Sequence, residues 1–153
     1  MKEIQGGVTA AKGFEAAGVA AEIKYKGRTD MAIVYSQTPC VAAGTFTTNV
    51  AKAAPVTWDQ ELVKSDFVQA IIVNSGIANA CTGQEGYGYC KETAEAASLV
   101  LSIPVKSVLL GSTGVIGKQL PMDRVKKGVE KLAEAKSDSI EAGTAAAKAI
   151  MTT

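Results

Sequence analysis

The sequence predicts a layered fold of sheets and helices, α/β or α+β rather than all-β. Three observations carry that reading. Short apolar runs alternate with longer segments of helical period through the second half of the chain. Two of those runs are each followed by a glycine-rich loop and then a helix. The 153 residues, 15.7 kDa, are enough for one core and too few for two independent ones. At 47% hydrophobic and 20% charged the composition is that of a globular chain and excludes disordered, collagen-like and coiled-coil classes.

In the first half, apolar stretches at 17–25 and 31–35 flank the polar segment Lys26-Gly27-Arg28-Thr29-Asp30, the pattern of a hairpin. Residues 41–48, VAAGTFTT, mix β-branched and small side chains and predict a third strand with another layer packed closely on it. A short helix is expected over 57–64, with Thr57 or Asp59 near its start, after Pro55 has set an extended approach. Residues 67–73 give the clearest buried strand. Cys90, Ala94, Ala97 and Leu101 recur at helical spacing over 86–101, and Pro104 ends that helix. A second buried strand follows at 107–110, then a helix over 123–135 marked by Val125, Val129, Leu132 and Ala133. Ser137-Asp138-Ser139 offers an N-cap for a last helix from Ile140 to about Met151. No capping residue closes that helix, and the sequence reads as interrupted rather than finished.

Composition also removes functions. A net charge of +1 excludes a charge-driven nucleic-acid or anionic-membrane binder. Histidine is absent, so no self-contained Ser-His-Asp or Cys-His site can be built from these residues. Cys40, Cys81 and Cys90 are too few and too far apart for a zinc site, and their odd number argues against a disulfide framework. They read as buried thiols of a reducing cytoplasm. No apolar run approaches the ~18 residues a membrane span needs.

Two loops concentrate glycine with small polar residues directly after a buried strand: 74–83, NSGIANACTG, and 111–117, GSTGVIG. Glycine allows close approach of backbone to a ligand, and ligands meet loops at strand ends in layered sheets. The second loop does not match a phosphate loop: five residues separate Gly111 from Gly117 where four are needed, and Gln119 stands in place of the magnesium-binding Ser or Thr. No G-x-G-x-x-G follows either strand. Both loops could simply turn the chain. An acyl-transfer reading instead makes the Thr113 hydroxyl and the Gly114 N–H an oxyanion hole. The chain then lacks an activated nucleophile, since Cys81 and Cys90 have no histidine partner and Asp30, Glu61 and Asp123 form no evident acid–base pair.

The segments GGVTAAKGF, GTFTTN (44–49), AAPV (53–56), NSGIANACTG, STGVIG and the terminal AIMTT, in this order, resemble the α chain of the ornithine acetyltransferase family, bifunctional glutamate N-acetyltransferases of arginine biosynthesis. The family pattern has asparagine where Ile77 stands, so no polar role is carried to that position. The resemblance implies that 1–153 is a single domain, the α-chain part of an α/β layered sandwich, two sheets between helices, that a β chain completes. It implies a precursor that cuts itself, freeing a β-chain N-terminal threonine whose own amine is its base, a nucleophile that needs no histidine. That threonine takes acetyl from N2-acetylornithine and passes it to glutamate in a ping-pong cycle; some members also accept acetyl-CoA. No cofactor is implied. Two α and two β chains, located in the cytoplasm, are the expected assembly, with an apolar surface meeting the β chain. Carried over by residue, Thr113 and Gly114 are the expected oxyanion-hole pair and Thr152 a substrate-binding threonine, with Thr153 as its alternative. A self-processing peptide hydrolase and a nucleotide-binding module are the competing readings.

Overall fold

The computed structural model describes residues 6–64 and 67–152. Its centre is one four-stranded sheet in the order β1 (Phe14–Val19), β2 (Met31–Cys40), β3 (Val68–Asn74), β4 (Val108–Ser112). The first two pairings are antiparallel, and β3 and β4 run parallel, from Ala70 opposite Val108 to Asn74 opposite Ser112. The helices are α1 (Ala54–Leu62), α2 (Gly83–Leu101), α3 (Met122–Ala135) and α4 (Ile140–Ala149). Because successive strand residues face opposite sides, Ala17, Met31, Ile33, Ala70, Ile72, Val108 and Leu110 share one core with Trp58 of α1, Cys90, Ala94 and Ala97 of α2, and Val125, Val129 and Leu132 of α3. Ala16 and Ala32 point the other way, where they pack with Ala146 and Ala149 of α4. The small side chains set that distance. A Cβ on Gly18 would overlap the Ala145 carbonyl group, so α4 lies almost backbone to backbone on β1.

The strand–loop–helix readings of the second half agree with the structure, and Ser139 caps α4 by accepting the Ala142 N–H at 3.1 Å. Three expectations for the first half do not. Residues 41–48 form no strand; Val41 is 86% exposed, and β3 takes the place beside β2 that a meander would have given them. The first strand ends at Val19 rather than Tyr25, because the N–H groups of Ala21 and Ile23 turn to the buried Asp30 carboxylate, at 2.7 and 2.6 Å. The first helix begins at Ala54, three residues earlier than expected, with Pro55 inside its first turn, where a missing N–H costs no helical hydrogen bond.

The cysteines also differ from expectation: only Cys90 is buried, Cys40 is intermediate and Cys81 exposed at positive φ. Burial pushes the Cys90 thiol up to about 12, which removes it as a nucleophile. The chain supplies one sheet among the described residues; the second sheet of the expected sandwich is not among them. No described helix is long and apolar enough to cross a membrane.

Candidate functional site

The two glycine loops leave the carboxyl ends of the neighbouring parallel strands β3 and β4, the position at which ligands meet open sheets. They continue the parallel ladder beyond the sheet. The Thr113 N–H donates to Asn74 O at 3.0 Å, Val115 N–H to Gly76 O at 3.1 Å and Ala78 N–H to Val115 O at 3.0 Å. This pairing skips Gly114. Its N–H has no partner among the described residues, and neither has the Thr113 hydroxyl. Gly114 holds φ +132°, and a Cβ there would run into the backbone of Gly76 and Ile77. Glycine is therefore required on two counts, conformation and space.

The first loop keeps its polar groups to itself. Asn74 Nδ2 donates to Ile77 O at 2.8 Å, Ser112 Oγ donates to the same oxygen at 3.2 Å, and Ser112 Oγ accepts the Asn79 N–H at 2.8 Å. Asn79 is 2% exposed; its amide donates to Gly86 O at 2.8 Å and accepts from the Thr82 hydroxyl at 2.7 Å. Ile77, where the resembled pattern has asparagine, is buried in the main core. Its side chain contributes packing and its carbonyl does the polar work.

A cleft of about 290 Å³ opens where the loops meet, and Thr113, Gly114 and Thr152 all line it. Thr152 reaches it because α4 is pinned at its end: the buried Ser75 hydroxyl donates to Ala149 O at 2.7 Å and Arg28 Nη2 donates to Met151 O at 2.6 Å. Thr153, the alternative, lies outside the described residues. Sequence reasoning placed Ser75 in the first candidate loop but missed Lys24 and Arg28 in this cleft. The only available signal was cationic residues crowded into the turn before Asp30, which reads equally well as a solvated hairpin tip. Of the carboxylates considered for acid–base work, Asp30 is structural, Glu61 is bound by the Tyr87 hydroxyl at 2.7 Å, and Asp123 lies in the first turn of α3. The first turn of α3, the helix that follows the second loop, does not line the cleft, so it does not present its N-terminus there as phosphate binding would need. No group of three or more Cys, Asp or Glu able to hold a metal occurs among the described residues.

An α/β scaffold thus presents, at paired strand ends, two donors unpaired among the described residues, an arrangement able to stabilise a developing oxyanion. The ArgJ family model matches residues 15–153, and the chain belongs to the ArgJ family. It is 50% identical over 144 residues to the arginine biosynthesis bifunctional protein ArgJ of Thermotoga neapolitana, covering 93% of this chain and 35% of that protein. The Gloeobacter violaceus protein of the same name is 45% identical over 98% of this chain and 37% of its own. Among solved structures, ornithine acetyltransferase of Mycobacterium tuberculosis, crystallised with ornithine, superposes with a TM-score of 0.93 at 45% identity, over 97% of this chain and 80% of that one. The chain thus spans little more than a third of the length of these curated relatives.

Proposed function

We propose that this chain is the oxyanion-stabilising part of an acetyltransferase that moves acetyl from N2-acetylornithine to glutamate in arginine biosynthesis. One observation carries the reading: the Thr113 hydroxyl and Gly114 N–H, without other partners among the described residues, line the same cleft as Thr152, close to 40 residues away in sequence. The absence of histidine fits a mechanism whose nucleophile is an N-terminal threonine on a second chain cut from the same precursor. Its amine takes the hydroxyl proton as Oγ attacks the acetyl carbonyl. The carbonyl oxygen, now negative, accepts hydrogen bonds from Thr113 Oγ1 and Gly114 N. As the tetrahedral adduct collapses, the C–N bond breaks, the amine returns the proton to departing ornithine, and acetyl stays on the threonine. Glutamate reverses the steps, its α-amine taking the acetyl. Thr152 holds substrate at the mouth of the cleft. Acetyl-CoA as an alternative donor enters through the same acyl-threonine, and no cofactor takes part.

The proposed second chain covers the sheet face that α4 leaves open. There Val34, Ile71, Val73 and Ile150 line an apolar groove of about 540 Å³, and Ile71 is 40% exposed in mid-strand. The proposed assembly is two α and two β chains in the cytoplasm.

The test uses the protein expressed from its whole gene. Incubation with N2-acetylornithine and glutamate should yield N-acetylglutamate and ornithine, with the parallel double-reciprocal lines of a ping-pong reaction. Peptide cleavage without acetyl transfer would favour a self-processing hydrolase, and stabilisation by ATP alone would favour a nucleotide binder.

A further inference from the structure

We infer that Ser112 is the positioning residue of the oxyanion donors: its hydroxyl fastens the strip of the first loop against which Thr113 and Gly114 are aimed. The inference rests on the acyl-transfer reading above and adds to it a residue that touches no substrate. Successive side chains at the end of β4 face opposite sides. Thr113 therefore borders the cleft, while Ser112 faces α2 and lines a cavity of about 20 Å³ with Asn74, Asn79 and Cys90.

Gly114 owes its place to that strip. It stands on the Gly76–Ile77 peptide, since a Cβ on Gly114 would lie 2.3 Å from the Gly76 carbonyl carbon and 2.8 Å from Ile77 N. Val115 is tied to the strip on both sides, by its N–H to Gly76 O at 3.1 Å and by its carbonyl to the Ala78 N–H at 3.0 Å. A shift of 76–78 is therefore passed to 114–115. Among the described residues, the side chains that bond this strip are Asn74 and Ser112, which both donate to Ile77 O, at 2.8 and 3.2 Å. Ser112 Oγ also accepts the Asn79 N–H at 2.8 Å.

These two bonds make the hydroxyl a bracket. A serine hydroxyl has one hydrogen to give and lone pairs to receive with. Here the hydrogen goes to residue 77 and a lone pair takes residue 79, so one atom holds both to the residue that precedes Thr113. Oxyanion stabilisation needs donors fixed before the charge forms, with a tolerance of about 0.5 Å. Asn74 keeps its bond to Ile77 O when the hydroxyl is removed, so the strip loosens without detaching. The expected loss is accordingly smaller than that of deleting a donor outright.

The experiment follows the burst of ornithine released when the whole-gene enzyme meets N2-acetylornithine without glutamate, in wild type, Ser112→Ala, Ser112→Cys and Ser112→Thr. The size of the burst counts competent sites and its rate reports acylation. Ser112→Ala should slow the burst about 10-fold, with its size per folded molecule and the half-saturating donor concentration unchanged. Transfer from the acyl-enzyme to glutamate should slow by the same factor, because one pair of donors serves both tetrahedral adducts. Ser112→Thr keeps the hydroxyl and should recover most of the rate. If the alanine variant does not fold, Ser112→Cys, close to serine in size and a weaker donor, carries the same comparison. Combined with Thr113→Ala, the loss should be less than the product of the two single losses, since part of what Ser112 aims is already gone. A smaller burst at the wild-type rate, a change in half-saturation alone, or a fully multiplicative double variant would make the hydroxyl structural only and overturn the positioning role. A wild-type enzyme that gives no burst would remove the acyl-transfer reading with it.

Discussion

The loops that follow β3 and β4 both draw on glycine, serine and threonine, yet they differ in how they spend their hydrogen bonds. After β3, Asn74, Ser75 and Asn79 are all buried and all satisfied within the protein, and the backbone of 76–78 is tied to the second loop. After β4, the chain from Gly114 to Gln119 is exposed, and the Thr113 hydroxyl and Gly114 N–H are left over. The first loop is a foundation and the second is what it presents. Composition alone cannot separate the two, because both jobs call for small polar residues; the difference lies in whether the donors and acceptors meet each other.

The sharpest way to break this comparison is Thr113→Ala in the whole-gene enzyme. If the second loop exists to present donors, kcat should fall about 10²–10³-fold with little change in KM, while thermal stability moves by no more than about 0.5 kcal/mol, because the hydroxyl has no partner among the described residues to lose. A wild-type rate would remove the oxyanion role.

Asn79→Ala should show the reverse. Truncation strands the Gly86 carbonyl and the Thr82 hydroxyl in a site that is 2% exposed, a cost of about 2–3 kcal/mol in unfolding free energy, read by thermal or denaturant melting of the intact protein. Activity per folded molecule should stay near wild type. A variant that melts normally but turns over slowly would mean that the first loop also acts directly on substrate.

How far the sequence reveals this division depends on the range of the interactions involved. β3, β4, α2 and α3 are legible because burial repeats at periods of 2 and 3.6 within a few residues, and α4 is legible through its Ser139 cap. The strand expected at 41–48 is not borne out because β propensity is local, whereas a free sheet edge is decided by β3, which begins 20 residues after that segment ends. The first strand stops early for a similar reason, since the buried Asp30 carboxylate competes for N–H groups that the ladder would have used. At the site, Thr113 and Gly114 are visible as a glycine loop after a buried strand, and the proposed oxyanion role is one of several readings of that loop, which the family resemblance favours. Arg28 belongs to a local pattern that reads as a hairpin tip, and what carries it to the cleft is not local: its partner, the Met151 carbonyl, is 123 residues away.

The smallest expected effect concerns what holds β4 upstream of the presenting loop. On the edge away from β3, α1 supplies two side chains: Trp58 Nε1 donates to Val108 O at 3.0 Å, and Asp59 Oδ1 accepts the Leu110 N–H at 2.9 Å. Burial raises the Asp59 carboxyl from 3.8 to about 6, and the Leu110 hydrogen bond only partly offsets it. Between those two pH values the folded chain binds the proton more tightly than the unfolded one, so stability falls as pH rises from about 4 to about 6 and the loss is complete above that window. Asn at this position keeps an acceptor for Leu110 and carries no charge to bury. Asp59→Asn should therefore flatten that slope and stabilise the protein above pH 6 by about 1 kcal/mol or less, the side chain being partly open to screening water. Melting temperatures of both proteins at pH 4.5 and 7.5 decide the matter. If wild type gains relative to the variant on going to the higher pH, the Asp59 charge is a net asset to the β4 edge, and the hydrogen bond outweighs burial there.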